Sequence, residues 1–231
     1  MLQQIVQTET RSYGRAPVRA HVPGAAASEQ TLAGAFGLLG ASIQFDRNAE
    51  IYGEDEPAEY FYQVVKGAVR TYKLLEDGRR QIGAFFLPGD VFGLEAGETH
   101  GFSAEAIGAS TVRVAKRSAI LALAARDSAI AADLWAATAM GLRLAQDHML
   151  LLGRRNAEER VATFLLDMGR REASEIIELP MSRQDIADYL GLTIETVSRT
   201  LTQLQLKLAI ALPSSRKIQV RSRASLQRLN A

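Results

Sequence analysis

The chain has 231 residues, with 27 Lys or Arg against 26 Asp or Glu, three His and no Cys, for a net charge of +1. The absence of cysteine excludes disulfides, thiolate-held iron–sulfur clusters and Cys-ligated zinc. The length suits one or two domains with ample core, and with no bilayer-length apolar run or signal-peptide pattern the expectation is a soluble cytoplasmic protein.

Residues 1–30 are polar and irregular, with Pro17 and Pro23-Gly24, and read as an N-terminal arm. From about Phe45 the signals are strands and turns. Tyr60–Val65 leads into Lys66-Gly67, Ala68–Leu75 into the hairpin turn Glu76-Asp77-Gly78, and Gln81–Leu87 into Pro88-Gly89-Asp90, while Ala104–Arg117 supplies further strand. Short strands closely spaced by glycine turns predict an antiparallel barrel or jelly roll over 31–127. The acidic run Glu54-Asp55-Glu56 with Glu59 reads as a solvated loop.

A long helix is expected over 128–153. Apolar Trp135, Leu142 and Met149 recur every seven residues, with Thr138, Ala145 and Leu152 three positions after each. That is a heptad pattern over about three repeats, the lower limit for a coiled coil, and two-fold pairing is favoured because helix-turn-helix readers grip two half-sites. The alternative is a helix buried against its own chain. The final domain, 154–231, opens with a second helix, about Ala157 to Arg171, that leads into the reader.

Within that domain, MSRQDIADYLGLTIETVSRTLTQLQL (181–206) reads as two helices around a tight turn. Ser182 suits an N-cap, its hydroxyl accepting a first-turn N–H. Gly191 follows where the backbone must turn with positive φ. Thr193 offers a second N-cap, and Ile186, Ala187, Leu190, Leu192, Val197 and Leu201 supply the contact between the helices. The pattern is a helix-turn-helix, whose second helix enters the DNA major groove; an ordinary helical hairpin is the alternative. Glu195, Ser198 and Arg199 stand at i, i+3 and i+4, on one side of that second helix. An arginine fork can donate to guanine O6 and N7, a carboxylate can accept from cytosine N4, and a hydroxyl can do either. The plainer reading is a surface Glu–Arg pair. Arg183, Gln184, Thr193 and Thr196 could reach phosphates, which fix register without reading sequence.

Two strand-like runs, Ala209–Leu212 and Lys217–Arg221, flank the turn Pro213-Ser214-Ser215 and make the wing of a winged helix. Arg216 and Lys217 at its tip would lie near phosphates. A short helix, about Ala224 to Leu229, closes the chain. No glycine stands near Leu206 to Ala209 to end the second helix, where one is expected. From Met181 to Ala231 there are eight Lys or Arg against three acids, net +5, leaving −4 for the remainder. Positive charge thus gathers where the nucleic-acid reader is expected.

Nearly the whole chain resembles the Crp/Fnr superfamily of bacterial transcription regulators. The most specific stretches are RRNAEERVATFLLDMGRR (154–171), SRQDIADYLGLTIETVSRTL (182–201) and ALPSSRKIQV (211–220). The resemblance implies an α+β fold: an N-terminal β-roll (a jelly roll like cyclic-nucleotide-binding domains), a long dimerisation helix and a C-terminal winged helix-turn-helix. It implies a homodimer on a palindromic operator in double-stranded DNA that recruits RNA polymerase. The Glu-x-x-Ser-Arg signature of Glu195, Ser198 and Arg199 is similar to the Fnr and FixK branches, which read an inverted TTGA-type repeat. By that resemblance these three residues would contact bases. Ser182, Arg183, Gln184, Thr193 and Thr196 would lie near the backbone. Ile194 replaces an arginine of the cyclic-AMP receptor branch and would meet a thymine methyl instead.

Departures from the family pattern bear on regulation. Cyclic-nucleotide domains of the family use Gly-Glu followed by Arg-Ser/Thr-Ala, whose arginine pairs with the cyclic phosphate. Here FGLEAGETHGFSAEA (92–106) has Phe102 before Ser103, and Leu94 interrupts the Gly93-Glu pairing. A buried phosphate without its arginine costs several kcal/mol. Fnr proper needs cluster cysteines. The resemblance therefore points to the FixK branch, whose members are typically active without a cofactor and turn on genes for low-oxygen respiration and nitrogen metabolism. An alternative is the same fold gated by another effector in the β-roll. A cupin-type metalloenzyme is a more distant one, but it needs a His-x-His cluster. His21 in the arm, His100 in a loop and His148 on the long helix have no metal-ligand spacing and read as ordinary surface or helix histidines.

Overall fold

The computed structural model describes residues 31–154, 156–172 and 174–229. The expected arm, with His21, lies outside them. The described chain opens with α1 (Leu32–Leu39), a helix the sequence reading does not anticipate; the Thr31 hydroxyl caps it by accepting the Gly34 N–H at 3.1 Å.

Eight strands follow: β1 (Ala41–Phe45), β2 (Glu50–Tyr52), β3 (Tyr60–Lys66), β4 (Val69–Leu74), β5 (Arg80–Phe86), β6 (Val91–Phe92), β7 (Ser103–Ala106) and β8 (Ser110–Lys116). They form two four-stranded antiparallel sheets, in the orders β1-β8-β3-β6 and β2-β7-β4-β5. Tyr52, Tyr62, Val64, Val69, Phe92, Ala104 and Val112 fill the space between them. The stretch expected to supply further strand, Ala104–Arg117, holds parts of two strands in different sheets. Ile107-Gly108-Ala109 carries the chain across, and the Ile107 N–H donates to the Ala68 carbonyl at 2.9 Å.

A second unanticipated helix, α2 (Arg117–Ala124), precedes α3 (Ser128–Arg154). The Asp127 carboxylate accepts the Ala129 N–H at 2.9 Å, satisfying a donor of the first turn of α3 that has no partner within the helix. The α3 helix runs the full length its apolar repeat predicts. After it, α4 (Ala157–Glu172) starts on Asn156, which exchanges hydrogen bonds with Glu159.

The rest is β9 (Ile176–Glu178), α5 (Arg183–Leu190), α6 (Ile194–Leu206), β10 (Ile210–Ala211), β11 (Lys217–Val220) and α7 (Arg223–Arg228). The wing is three-stranded, β10-β11-β9, because β9 pairs with β11 from across the domain. Phe164, Leu165 and Met168 of α4 pack with Ile186, Leu190, Val197, Leu201 and Leu204 in one core that also takes in Phe85 of the roll.

Two histidines differ from expectation. His100 sits in its loop but is fully buried, its ring stacked on Tyr52 with centroids 3.6 Å apart. His148 is buried against Tyr189. Loop and helix positions alone do not fix exposure when a second element docks on them. Among the described residues, no group of three or more His, Asp or Glu side chains gathers as a metal would require.

Candidate nucleic-acid interface

The interface is built on two capped helices. Ser182 Oγ accepts the Asp185 N–H at 3.1 Å while the Asp185 carboxylate accepts the Ser182 N–H at 2.8 Å, a reciprocal capping box. Gly191 ends α5 with φ 61°, in the left-handed region the turn demands. Thr193 Oγ1 then accepts the Thr196 N–H at 3.2 Å and starts α6.

The expected glycine after α6 is replaced by Leu208, at φ 57°. The Leu208 N–H donates to Gln205 O and the Ala209 N–H to Leu204 O, both at 3.0 Å. These are the two bonds of a Schellman motif, made here without glycine. The helix therefore ends where the wing needs it to.

On α6, Val197, Thr200, Leu201 and Leu204 are buried. Ile194, Glu195 and Arg199 are exposed on the other side, with Ser198 half-buried between them. Glu195 is held below the usual carboxylate range by its own backbone N–H and the Thr193 side chain. A Glu195–Arg199 surface pair does not form: among the described residues Arg199 makes no ion pair. The fork and the carboxylate are each left with solvent-facing hydrogen-bonding capacity.

The remaining candidates are placed unevenly. Thr193 is exposed, Ser182, Arg183 and Thr196 are half-buried, and Gln184 Nε2 donates to Asp188 Oδ1 at 2.7 Å. At the wing, Arg216 is exposed, whereas Lys217 forms an ion pair with Glu178 of β9. That pairing follows from the β9–β11 register, which no local signal announces.

On the helical seam, Trp135, Leu142 and Met149 are 74%, 61% and 65% exposed, with Thr138 and Ala145 also exposed. Leu152 is half-buried, beside Gly191 of its own chain. Arg160 was not singled out by sequence: its guanidinium donates to Leu190 O at 2.8 Å and Leu152 O at 2.9 Å, tying the ends of α5 and α3 together. At the roll, the Phe102 ring lies against Gly83 of β5, where a Cβ would stand 2.9 Å from it, and Lys73 Nζ sits 5.5 Å above the ring. An aromatic ring therefore fills the space beside Gly83, at the position where the resemblance would place an arginine.

A two-sheet roll, a long exposed-faced helix and a winged helix-turn-helix, in that order, define a two-domain DNA-binding regulator. Residues 42–127 match the cyclic nucleotide-binding domain and residues 159–229 the Crp-like helix-turn-helix domain. The chain belongs to the Crp/Fnr family of transcription regulators. It is 54% identical over 199 residues to the nitrogen fixation regulation protein FixK of Azorhizobium caulinodans, covering 84% of this chain and 80% of that one. It is 45% identical over 181 residues to FixK of Rhizobium meliloti, covering 78% and 82%. The structure of FixK2 from Bradyrhizobium japonicum superposes with a TM-score of 0.80 at 57% identity, covering 84% of this chain and 98% of that one. No described helix is long and apolar enough to cross a membrane.

Proposed function

We propose that this chain is a cytoplasmic transcription activator that binds an inverted TTGA-type repeat as a homodimer and recruits RNA polymerase without a small-molecule effector. The observation that carries this reading is the exposed Glu195–Ser198–Arg199 face of α6, opposite its buried face. Arg199 reads guanine by a bidentate fork, Glu195 accepts from the paired cytosine, Ser198 adds a hydroxyl, and Ile194 meets a thymine methyl. Ser182, Arg183, Gln184, Thr193, Thr196, Arg216 and Lys217 hold the phosphates and set register. Two copies joined along Trp135, Thr138, Leu142, Ala145, Met149 and Leu152 place two readers about one helical turn apart.

The working division is an arm at 1–30, a sensor-like roll at 31–127, a dimerisation helix at 128–153 and a DNA-binding domain at 154–231. Phe102 in place of a phosphate-pairing arginine, and no cysteine for a cluster, support activity without cyclic AMP or iron–sulfur chemistry. The naming of the relatives as nitrogen fixation regulation proteins supports nitrogen-metabolism genes as targets, and the resemblance to the FixK branch adds low-oxygen respiration. Selecting bound duplexes from a random pool tests the reading. It predicts an inverted TTGA repeat; recovery of single, unrelated or no sites contradicts it.

A second reading has an observation of its own. A cleft of about 430 Å³ separates the roll from α3, lined among others by Gln63, Gly83, Met140, Gly141, Leu144 and Arg171. It would admit an effector. Mass spectrometry of denatured protein after dialysis distinguishes the readings, since a retained small molecule supports gating and none supports effector independence.

A further inference from the structure

The first helix of the reader is fastened to the roll through one buried carboxylate. Asp185 is 3% exposed, at the third position of α5. One of its oxygens closes the capping box with Ser182. The other accepts Arg70 Nη1 of β4 at 3.0 Å and Arg80 Nη2 of β5 at 2.6 Å. Arg80 also reaches Asp188, nearly one turn further along α5, with Nε at 2.9 Å and Nη2 at 2.8 Å. Gln81 Nε2 adds a bond to the Asp188 carbonyl at 2.8 Å. Within the roll, Arg70 is anchored by Glu105 at 2.9 Å and by Asn48 at 3.2 Å.

We propose that Arg70 and Arg80 are positioning residues for DNA binding: through Asp185 and Asp188 they hold the reader in one pose against its own roll. The proposal rests on the dimeric reading above and names what fixes the reader's orientation when no ligand does. Surface ion pairs would not suffice, since water and salt would replace them at little cost. This cluster is different because Arg70 and Asp185 are buried, and a buried charge that loses its partner is strongly destabilising. Any pose that lifts α5 off β5 breaks both arginine contacts to Asp185 at once. Such a network selects one arrangement rather than adding much net stability.

The pose passes directly to the recognition helix. Ile186, Ala187 and Leu190 of α5 share a core with Val197 and Leu201 of α6, and the two helices meet at the tight Gly191 turn. They move as a unit. A dimer on an inverted repeat needs two such units at fixed separation and tilt, whereas one reader on one half-site needs neither. In a ligand-gated regulator, an effector biases the population toward the competent pose. Here the bias is carried by side chains.

The test uses the full-length protein and its Arg80→Gln and Arg80→Lys variants. Because the chain has no cysteine, Leu74→Cys on the roll and Leu206→Cys at the end of α6 accept spin labels at exposed positions. Labelled protein diluted into unlabelled protein reports the distance within one chain. Without DNA, the parent is expected to give one narrow distance distribution, Arg80→Gln a broadened one, and Arg80→Lys one close to the parent. A distribution as narrow in Arg80→Gln as in the parent overturns the proposal.

Binding then tests the consequence. On a duplex carrying the inverted TTGA repeat, Arg80→Gln should lose roughly tenfold in affinity, a typical coupling magnitude. On a single TTGA half-site it should change less than twofold. Equal losses on both duplexes, or none on either, overturn the positioning role. A parent that binds neither duplex contradicts the function proposed above, and the DNA-free distances still decide the clamp.

Discussion

The imidazole of His148 lies flat on the ring of Tyr189, with centroids 4.0 Å apart and planes within 5°, and its Nε2 is 2.7 Å from the Tyr189 carbonyl oxygen. The long helix and the reader's first helix meet at this stack. The Gly83 backbone of the roll, like the Tyr189 carbonyl, favours the protonated ring. Burial pushes the His148 pKa below its ordinary 6.5, outweighing these backbone groups, and lifts the Tyr189 phenol to about 12.

A pH dependence follows. The folded protein holds His148 neutral at pH values where the unfolded chain already binds a proton there. Stability therefore rises with pH in that window. The contribution is complete above about pH 6.5 and is lost progressively as pH falls toward the depressed folded value. Denaturant unfolding from pH 7.5 to 5 should show the parent losing stability faster than His148→Gln. Parallel curves would mean His148 is not held neutral.

The end of α6 offers a second test. Leu208 takes a left-handed conformation that suits glycine and costs other residues about 1–2 kcal/mol, and it is 67% exposed, so little burial is at stake. Leu208→Gly should stabilise the protein by up to about 1 kcal/mol after glycine's greater unfolded-state entropy is counted. The converse change, Gly191→Ala, should destabilise it by about 1 kcal/mol or more. Thermal unfolding at fixed pH checks both signs.

Local chemistry made some of this legible in the sequence and non-local contact hid the rest. Ser182, Gly191 and Thr193 mark caps and a turn within a dozen residues, so the helix-turn-helix and its exposed face can be read directly. The missing glycine near Leu208 was a true signal, of an unusual cap rather than of a misplaced wing. Strand β9 was hidden because its partner β11 lies some forty residues further on. The roles of Arg70, Arg80 and Asp185 were invisible for the same reason, since separations of 115 and 105 residues leave no periodic trace. Gly108 could have flagged the break in Ala104–Arg117. The two short helices flanking the roll had weaker signals, α2 lacking any side-chain cap.

For the reader itself, Arg199→Ala should cost roughly 1–3 kcal/mol per half-site by removing a bidentate guanine contact. Glu195→Ala should instead relax discrimination at the paired cytosine. Titration of both variants at fixed salt against the parent site and single-base variants separates the two effects. Unchanged affinity for Arg199→Ala would remove it from the base-reading set.

At the seam, Leu142→Asp should yield monomers and abolish binding to the inverted repeat, because an unpaired charge would be buried between the helices. Sedimentation reads the first effect and gel shift the second. A variant that stays dimeric and binds unchanged would place the interface on another face of α3.

The most direct test of the central claim is transcription in a purified system of RNA polymerase, a template bearing the inverted TTGA repeat, and this protein alone, with cyclic AMP added to a parallel reaction. Activation is expected in the first reaction, and to the same extent in the second. Silence without cyclic AMP and activity with it would contradict an activator that works without an effector.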